Sequence, residues 1–264
     1  MELTRRHRSL LKRSKLSFIH CLLNKSNIGS AILTGLLRAT RVSSEKAPVE
    51  NLKFVVTTKT ENSMKRLQAE YAAEQGRKAD LILLAFPSFL AKQVLTRYDM
   101  SGVLSEKLII SLLAGKTTQE VGGYFCEGEK VVRAMPNIAA SICKSMTVIE
   151  RGSQLSRADF DIIKWLFGLL GKVKYLSTDE FDAGAVLASA SMAMAATSLN
   201  GILDGCMRAK LVKSDALEMA AQVWEGMSGL LNDGVHPAVL RESVSTPNGY
   251  ATQIMLELEK KGVR

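Results

Sequence analysis

The chain has 264 residues, 47% apolar and 23% charged, which excludes a disordered tail, a collagen-like repeat and a coiled coil and leaves a folded globular protein. The net charge of +9 would suit a nucleic-acid partner, but nine basic residues against Glu2 alone fall within residues 1–41, and no nucleic-acid motif accompanies them. Four cysteines without a C-x-x-C pair, and three histidines at no metal-ligand spacing, predict a reduced intracellular protein with no bound metal.

Residues 1–14 read as a basic extension. The cytoplasm is the expected compartment, and an Arg-rich, acid-poor mitochondrial presequence is the alternative. Residues 16–23 then read as a strand, 28–38 as a helix, 52–57 as a strand, 63–74 as a helix and 80–86 as a strand. A helix over 88–96, a strand over 107–112, a helix over 118–125 and a strand over 130–135 follow. The continuous apolar run Leu81-Ile82-Leu83-Leu84-Ala85 implies a strand buried on both faces, and the alternation of strands and helices predicts a doubly wound parallel sheet of Rossmann type.

Beyond residue 157 the pattern becomes helical. Phe160, Ile163, Trp165, Leu166 and Leu169 recur at helical spacing up to Gly171, before a short run through Leu176. Asp179 or Asp182 is expected to open a long helix ending near Met207. Ser214 is expected to cap a helix through Leu231, Pro237 to start a third, and residues 250–260 to form a fourth. The apolar stretch 183–203 is rich in Ala and Ser, so it is read as a buried helix and not a membrane span. Trp165 and Trp224 are expected in the core or a subunit contact, Met192 and Met194 in helix packing, and His236 in a turn or cap. The predicted organisation is an α/β domain over 15–155 and an all-helical domain over 156–264.

In a doubly wound sheet a ligand sits beyond the carboxyl ends of the strands, with the first strand-to-helix turn cradling a pyrophosphate on backbone N–H groups. A G-x-G-x-x-G register counted back from Gly29 covers Asn24-Lys25-Ser26-Asn27-Ile28-Gly29 and keeps only the third glycine. A second register starts the turn at His20-Cys21 with 22–26 as an insertion, and both remain open. At the end of the second strand Thr57, Thr58, Lys59 and Thr60 stand where NAD-preferring proteins tend to carry a carboxylate. A cation among hydroxyls suits the 2′-phosphate of NADPH. No G-x-S-x-G elbow supports a serine hydrolase.

The chain resembles the pyrroline-5-carboxylate reductases from about residue 15 to its last residue. The resemblance rests on Phe18-Ile19, Asn27-Ile28-Gly29-Ser30-Ala31-Ile32 and Gly35-Leu36-Leu37, then on 79–85 and 110–115. Val132-Arg133-Ala134-Met135-Pro136-Asn137 with Ser145-Met146-Thr147 is more specific, and the stretch His236-Pro237 to Thr246-Pro247 is the most distinctive. It implies NADPH-dependent reduction of a cyclic imino acid, with NADH as a lesser donor, and a helical domain that interlocks with a second copy in a homodimer or higher homo-oligomer. No membrane and no nucleic-acid partner are expected from the composition, since the basic residues bring no motif beyond their charge. The hydride comes from the cofactor, so no catalytic side chain is expected. Cofactor contacts are implied at Asn24, Ser26, Asn27, Ile28, Gly29, Thr58, Lys59, Ala85, Phe86, Pro87, Leu113, Ala114 and Asn137. Substrate contacts are implied at Ser189, Ser243, Thr246, Gly249, Tyr250 and Ala251.

Three segments depart from the family pattern. Phe86-Pro87 stands for a Lys-Pro, Ala188-Ser189-Ala190-Ser191 for a Gly-Ser-Gly-Pro, and Pro247-Asn248-Gly249-Tyr250-Ala251 for a Pro-Gly-Gly followed by small or hydroxylic residues, commonly with threonine second. These changes point to proline formation or to a related product of pipecolate type. The competing expectation is a degenerate, non-catalytic relative retained as an oligomer partner.

Overall fold

Strands that are apolar at every position are stable only where both faces are covered. The computed structural model describes residues 18–23, 27–42, 53–58, 79–96, 107–125, 130–152 and 155–263; the helix expected over 63–74 and the basic extension lie outside the described residues. Strands β1 (Phe18–Leu23), β2 (Lys53–Thr58), β3 (Leu81–Ala85), β4 (Leu108–Ser111), β5 (Lys130–Met135), β6 (Ser145–Glu150) and β7 (Gly171–Leu176) form one seven-stranded sheet. Their order is β2-β1-β3-β4-β5-β6-β7, and every neighbouring pair is parallel except β5 with β6.

Strands β3 and β4 are buried at every residue, and their side chains alternate between two cores. Leu81, Leu83, Leu108, Ile110, Val132 and Ala134 pack with Ile32 and Leu36 of α1 (Asn27–Val42) and with Ile163, Leu166 and Phe167 of a later helix. Ile82, Leu84, Ile109 and Val131 pack with Ala91 and Leu95 of α2 (Ala91–Leu95) and Val121 of α3 (Thr118–Gly122) on the other face. The expected helix over 88–96 is a 3₁₀ turn, Ser88–Leu90, followed by the short α2. The helix expected to reach Phe125 stops at Gly122-Gly123.

Strand β6 was not anticipated. Its antiparallel pairing of Ala134 with Ile149 follows a 3₁₀ turn, Ile138–Ile142, that reverses the chain through Cys143 at φ 58°. Helix α4 (Arg157–Gly168) then returns the chain to β7, which pairs parallel to β6 and extends the sheet. Compact units divide at Met1–Ala193 and Met194–Arg264, later than the expected boundary at 155/156, because α4 and β7 build onto the sheet.

The long helix begins at Thr178 with Ser177 as its cap, not at Asp179 or Asp182. Ser177 and Glu180 form a capping box, and the backbone runs as α5 (Thr178–Ala185), a π turn (Val186–Ala190) and α6 (Ser191–Arg208). This segment is long and apolar enough by composition to cross a membrane. The expectation of burial is not met within one chain: Leu187 is 74% exposed and Met194 72% exposed, so Met194 does not pack a core here.

The second unit continues with α7 (Lys213–Asn232), α8 (Pro237–Ser243) and α9 (Tyr250–Lys260). Val212 occupies the cap of α7, and Ser214 lies inside the helix with its hydroxyl donating to Asp215 Oδ1, so Ser214 is not the cap. His236 caps α8 by accepting from the Ala238 N–H, with Pro237 in the first turn. Trp165 is buried in the core of the first unit, whereas Trp224 is half-buried in α7.

Close approach of α1 to the turn after β5 holds the first unit together at the end of the sheet. A Cβ on Gly35 would run into the carbonyl oxygen of Ala140 and lie 2.7 Å from Leu170 Cδ2. The Cys143 thiol donates to the Gly35 carbonyl at 3.6 Å. Gly35→Ala is therefore expected to lower stability by about 1–3 kcal/mol through overpacking. The urea midpoint checks this, and an unchanged midpoint would contradict the contact.

Candidate active site

Parallel pairing places strand ends at one edge. Leu23 at the end of β1 pairs with Thr58 on one side and Ala85 on the other, Leu84 pairs with Ser111, and Ser111 with Arg133. Strand β1 lies between β2 and β3, so the chain reverses its winding direction there and opens the crevice at which such sheets bind ligands. Of the implied cofactor contacts, Asn27, Ile28 and Gly29 form the first turn of α1, and Thr58 and Ala85 end β2 and β3. Phe86 and Pro87 follow β3, Leu113 and Ala114 follow β4, and Asn137 follows β5. These residues share one edge. Asn24, Ser26 and Lys59 lie outside the described residues.

The chemistry of this edge fits a dinucleotide phosphate. Helix α1 is 16 residues long and carries no acidic residue in its first turn, so its N-terminal dipole faces the edge without a competing charge. After β4 the chain turns tightly: the Leu113 N–H donates to Ser111 Oγ at 3.4 Å, and Lys116 N–H to the Leu113 carbonyl at 3.2 Å. The cap of α3 fixes the end of this turn. The Thr117 N–H and the Lys116 ammonium both bond the Glu120 carboxylate and hold its pKa below the usual range. Phe86 is buried in the second core, so the position of the family's lysine offers no donor to the edge.

Two sets of contacts, one at Arg133 and one at Asn137, the latter implied by the sequence as a cofactor contact, carry no signature in the local pattern. Arg133, buried in β5, bonds Asp182 of α5 at 2.5 Å, lies 3.8 Å from Glu150 of β6 and stacks 4.2 Å from the Phe181 ring centroid. Thr118 of α3 donates to the second Glu150 oxygen. This cluster joins the sheet to the start of the long helix, and removing Arg133 would leave the buried Glu150 carboxylate without its cation. The second set is at Asn137. Its Oδ1 accepts from the Ala139 N–H at 3.0 Å, and its Nδ2 donates to the Ala188 carbonyl in the π turn at 2.8 Å. Its backbone N–H donates to Ser145 Oγ at 3.1 Å. The Asn137 side chain is thus engaged within the protein.

The implied substrate contacts are split between the two units. Ser189 lies half-buried in the π turn of the first unit, and the other five lie in the second. Ser243 ends α8 with its hydroxyl on the Leu240 carbonyl. Thr246 opens a turn closed by the Gly249 N–H on the Thr246 carbonyl at 2.9 Å, with Pro247 and Asn248 at its centre. Asn248 has φ 59°, the left-handed conformation that glycine adopts freely and asparagine tolerates, which accounts for asparagine standing in for a glycine. Gly249 caps α9 without a side chain, so the amides of the first turn, including Tyr250 and Ala251, receive no side-chain cap. The Thr252 hydroxyl is engaged with the Thr246 carbonyl, and Tyr250 is 87% exposed.

A family model described as pyrroline-5-carboxylate reductase dimerisation matches residues 178–264. A pyrroline-5-carboxylate reductase of Neurospora crassa is 33% identical over 243 residues, covering 85% of this chain and 73% of that protein. Its counterpart in Lophium arboricola is 37% identical over 199 residues, 71% of this chain, and the match spans 62% of that relative's length. Among solved structures, Plasmodium falciparum pyrroline carboxylate reductase with NADP bound superposes with a TM-score of 0.77 at 17% identity, covering 94% of this chain and 91% of that one. The Streptococcus pyogenes enzyme gives a TM-score of 0.75 at 22% identity, over 93% and 92% of the two chains. These two likenesses establish the Rossmann-like fold with its helical C-terminal part.

Backbone strain decides what Asn248 tolerates. Asn248→Gly is expected to be neutral, whereas Asn248→Val places a β-branched residue at positive φ and costs about 1–3 kcal/mol. Thermal unfolding of the two variants compares them directly, and equal midpoints would contradict the turn geometry.

Proposed function

Because the chain belongs to the pyrroline-5-carboxylate reductase family, we propose that it reduces a cyclic imino acid, 1-pyrroline-5-carboxylate to L-proline in the first instance, with NADPH as donor. The observation that carries this reading is the gathering of Gly29, Thr58, Ala85 and Ala114 at the carboxyl edge of the sheet beside an α1 terminus free of acidic residues. Bound there, NADPH would supply a hydride to the carbon of the protonated imine, giving the ring amine, which takes up a further proton from water, while the cofactor leaves as NADP⁺.

The chain's own contribution is binding and orientation. The first-turn amides of α1 hold the pyrophosphate, and Lys59, next after Thr58, pairs with the 2′-phosphate. The N–H groups of Tyr250 and Ala251 hold the substrate carboxylate at the start of α9, a role that needs no particular side chain. Ser189 contributes a hydroxyl from the π turn. Tyr250 brings a phenol where the family has a small or hydroxylic residue, and this side chain either fills part of the pocket or bonds a different substrate, a related imino acid of pipecolate type.

A homodimer or higher homo-oligomer completes the fold. In the second unit only Ala216 is buried among the described residues, while Ile202, Met219, Val223 and Ile254 are each more than half exposed. So much apolar surface on four helices needs a cover, and a second copy of the same helices supplies one. Sedimentation at micromolar concentration is expected to give a dimer or larger species, and a stable folded monomer would count against it.

Titration with NADPH and NADH tests the cofactor assignment. NADPH is expected to bind more tightly, with Lys59→Glu flattening or reversing the preference; equal affinities, unaltered by the substitution, would reject it. Failure to bind either nucleotide would favour the non-catalytic oligomer partner.

The substrate loop gives a separate test. Tyr250→Thr with Ala251→Thr keeps the amides and restores a hydroxyl worth roughly 1.5–3 kcal/mol against a charged group. Activity on 1-pyrroline-5-carboxylate is expected to rise about ten- to a hundredfold in kcat/KM. No gain with intact NADPH binding would show that the loop does not limit the reaction.

A further inference from the structure

We propose that Asn137 is a positioning residue for the reduction: by holding the Ala188 carbonyl in the π turn, it fixes the Ser189 hydroxyl at the carboxyl edge of the sheet. This inference rests on the reductase reading of that edge.

A π turn is a rare, strained insertion in a helix and is found most often at functional sites. Here the Ser191 N–H reaches back to the Val186 carbonyl, so the backbone is widened across Val186–Ala190, the segment that contains Ser189. Asn137 grips the middle of this turn through the Ala188 carbonyl at 2.8 Å. The grip is itself immobilised. Asn137 is buried, its Oδ1 is fixed on the Ala139 N–H, and its backbone N–H is fixed on Ser145 Oγ, which lies 3.4 Å from Thr147 Oγ1. Ser145 and Thr147 are both buried in β6, so the chain of contacts starts from the sheet. With Oδ1 committed to an N–H group, the amide can only present its NH₂ to Ala188.

The two hydroxyls of the segment 188–191 differ. Ser191 donates to the Leu187 carbonyl at 2.5 Å, as helical serines often do. The hydroxyl of Ser189 makes no hydrogen bond among the described residues, although the residue is half-buried. A half-buried hydroxyl left over in a turn clamped from the sheet is placed to bond a molecule bound at that edge. Asn137 thus acts through Ser189, its own amide and backbone N–H being committed within the protein.

Asn137→Asp separates these roles, because it keeps an oxygen for Ala139 and replaces the donor to Ala188 with a second oxygen. In the unliganded protein, amide exchange over 186–191 is expected to rise about fivefold or more while that in α7 to α9 is unchanged. With 1-pyrroline-5-carboxylate, kcat is expected to fall about tenfold, with the NADPH Kd within about twofold of wild type. Ser189→Ala is expected to lower kcat comparably, and the double variant to be no worse than Ser189→Ala alone. Should Asn137→Asp fail to fold, Asn137→Ser replaces it, since serine caps Ala139 but is too short to reach Ala188. Unchanged exchange at 186–191, losses in kcat that multiply, or a weakened NADPH Kd would overturn the positioning role while leaving the reductase reading intact. A wild-type protein that binds NADPH yet reduces no cyclic imino acid would fail the reading itself, and the role of Ser189 with it.

Discussion

Parallel pairing of β1 with both β2 and β3 is the constraint from which the site follows. It forces the chain to leave all three strands at one edge and to wind in opposite directions on either side of β1. The neighbouring strands β3, β4 and β5 are covered on both faces, by α1 and α4 on one and by α2 and α3 on the other. Each residue of the edge then inherits its place from register: Thr58 and Ala85 flank Leu23 because the backbone ladder leaves them nowhere else. The site is thus a product of topology first and of side chains second, which is how an altered glycine fingerprint remains compatible with the fold.

Beyond β5 the construction changes from parallel winding to polar joints. The antiparallel turn into β6 is held by buried groups, Asn137 with Ser145 and Arg133 with Glu150, and both joints also reach the long helix, at Ala188 and Asp182. Such joints cost desolvation and are retained where they fix a geometry. Here they fix the start of the long helix and its π turn against the sheet within the first unit. The helices that follow, by contrast, have almost no core of their own, since Ala216 alone is buried there among the described residues. Their apolar faces are the physical reason to expect a second copy of the chain.

Much of this was legible in the sequence where one local rule dominated. The run Leu81–Ala85 could only be a strand buried on both faces, and Pro237 after His236 marked a helix start by its missing N–H. Strand β6 was not legible, because Ser145, Met146 and Thr147 show no apolar alternation. Ser145 and Thr147 are buried with each other as hydroxyl partners, and Ser145 also accepts from the Asn137 N–H. The start of the long helix carried a readable signal that was passed over, Ser177 three residues before Glu180. Nothing in Ala188-Ser189-Ala190-Ser191 announces a π turn, whose hold lies 51 residues away in Asn137.

Hydride transfer from NADPH to a cyclic imine at this edge leaves an isotopic trace, read by supplying 1-pyrroline-5-carboxylate with each of the two NADPH stereoisomers deuterated at the nicotinamide C4 and analysing the product by mass spectrometry. Proline is expected to carry one deuterium from one stereoisomer and none from the other. Tight NADPH binding with no labelled proline from either would contradict it.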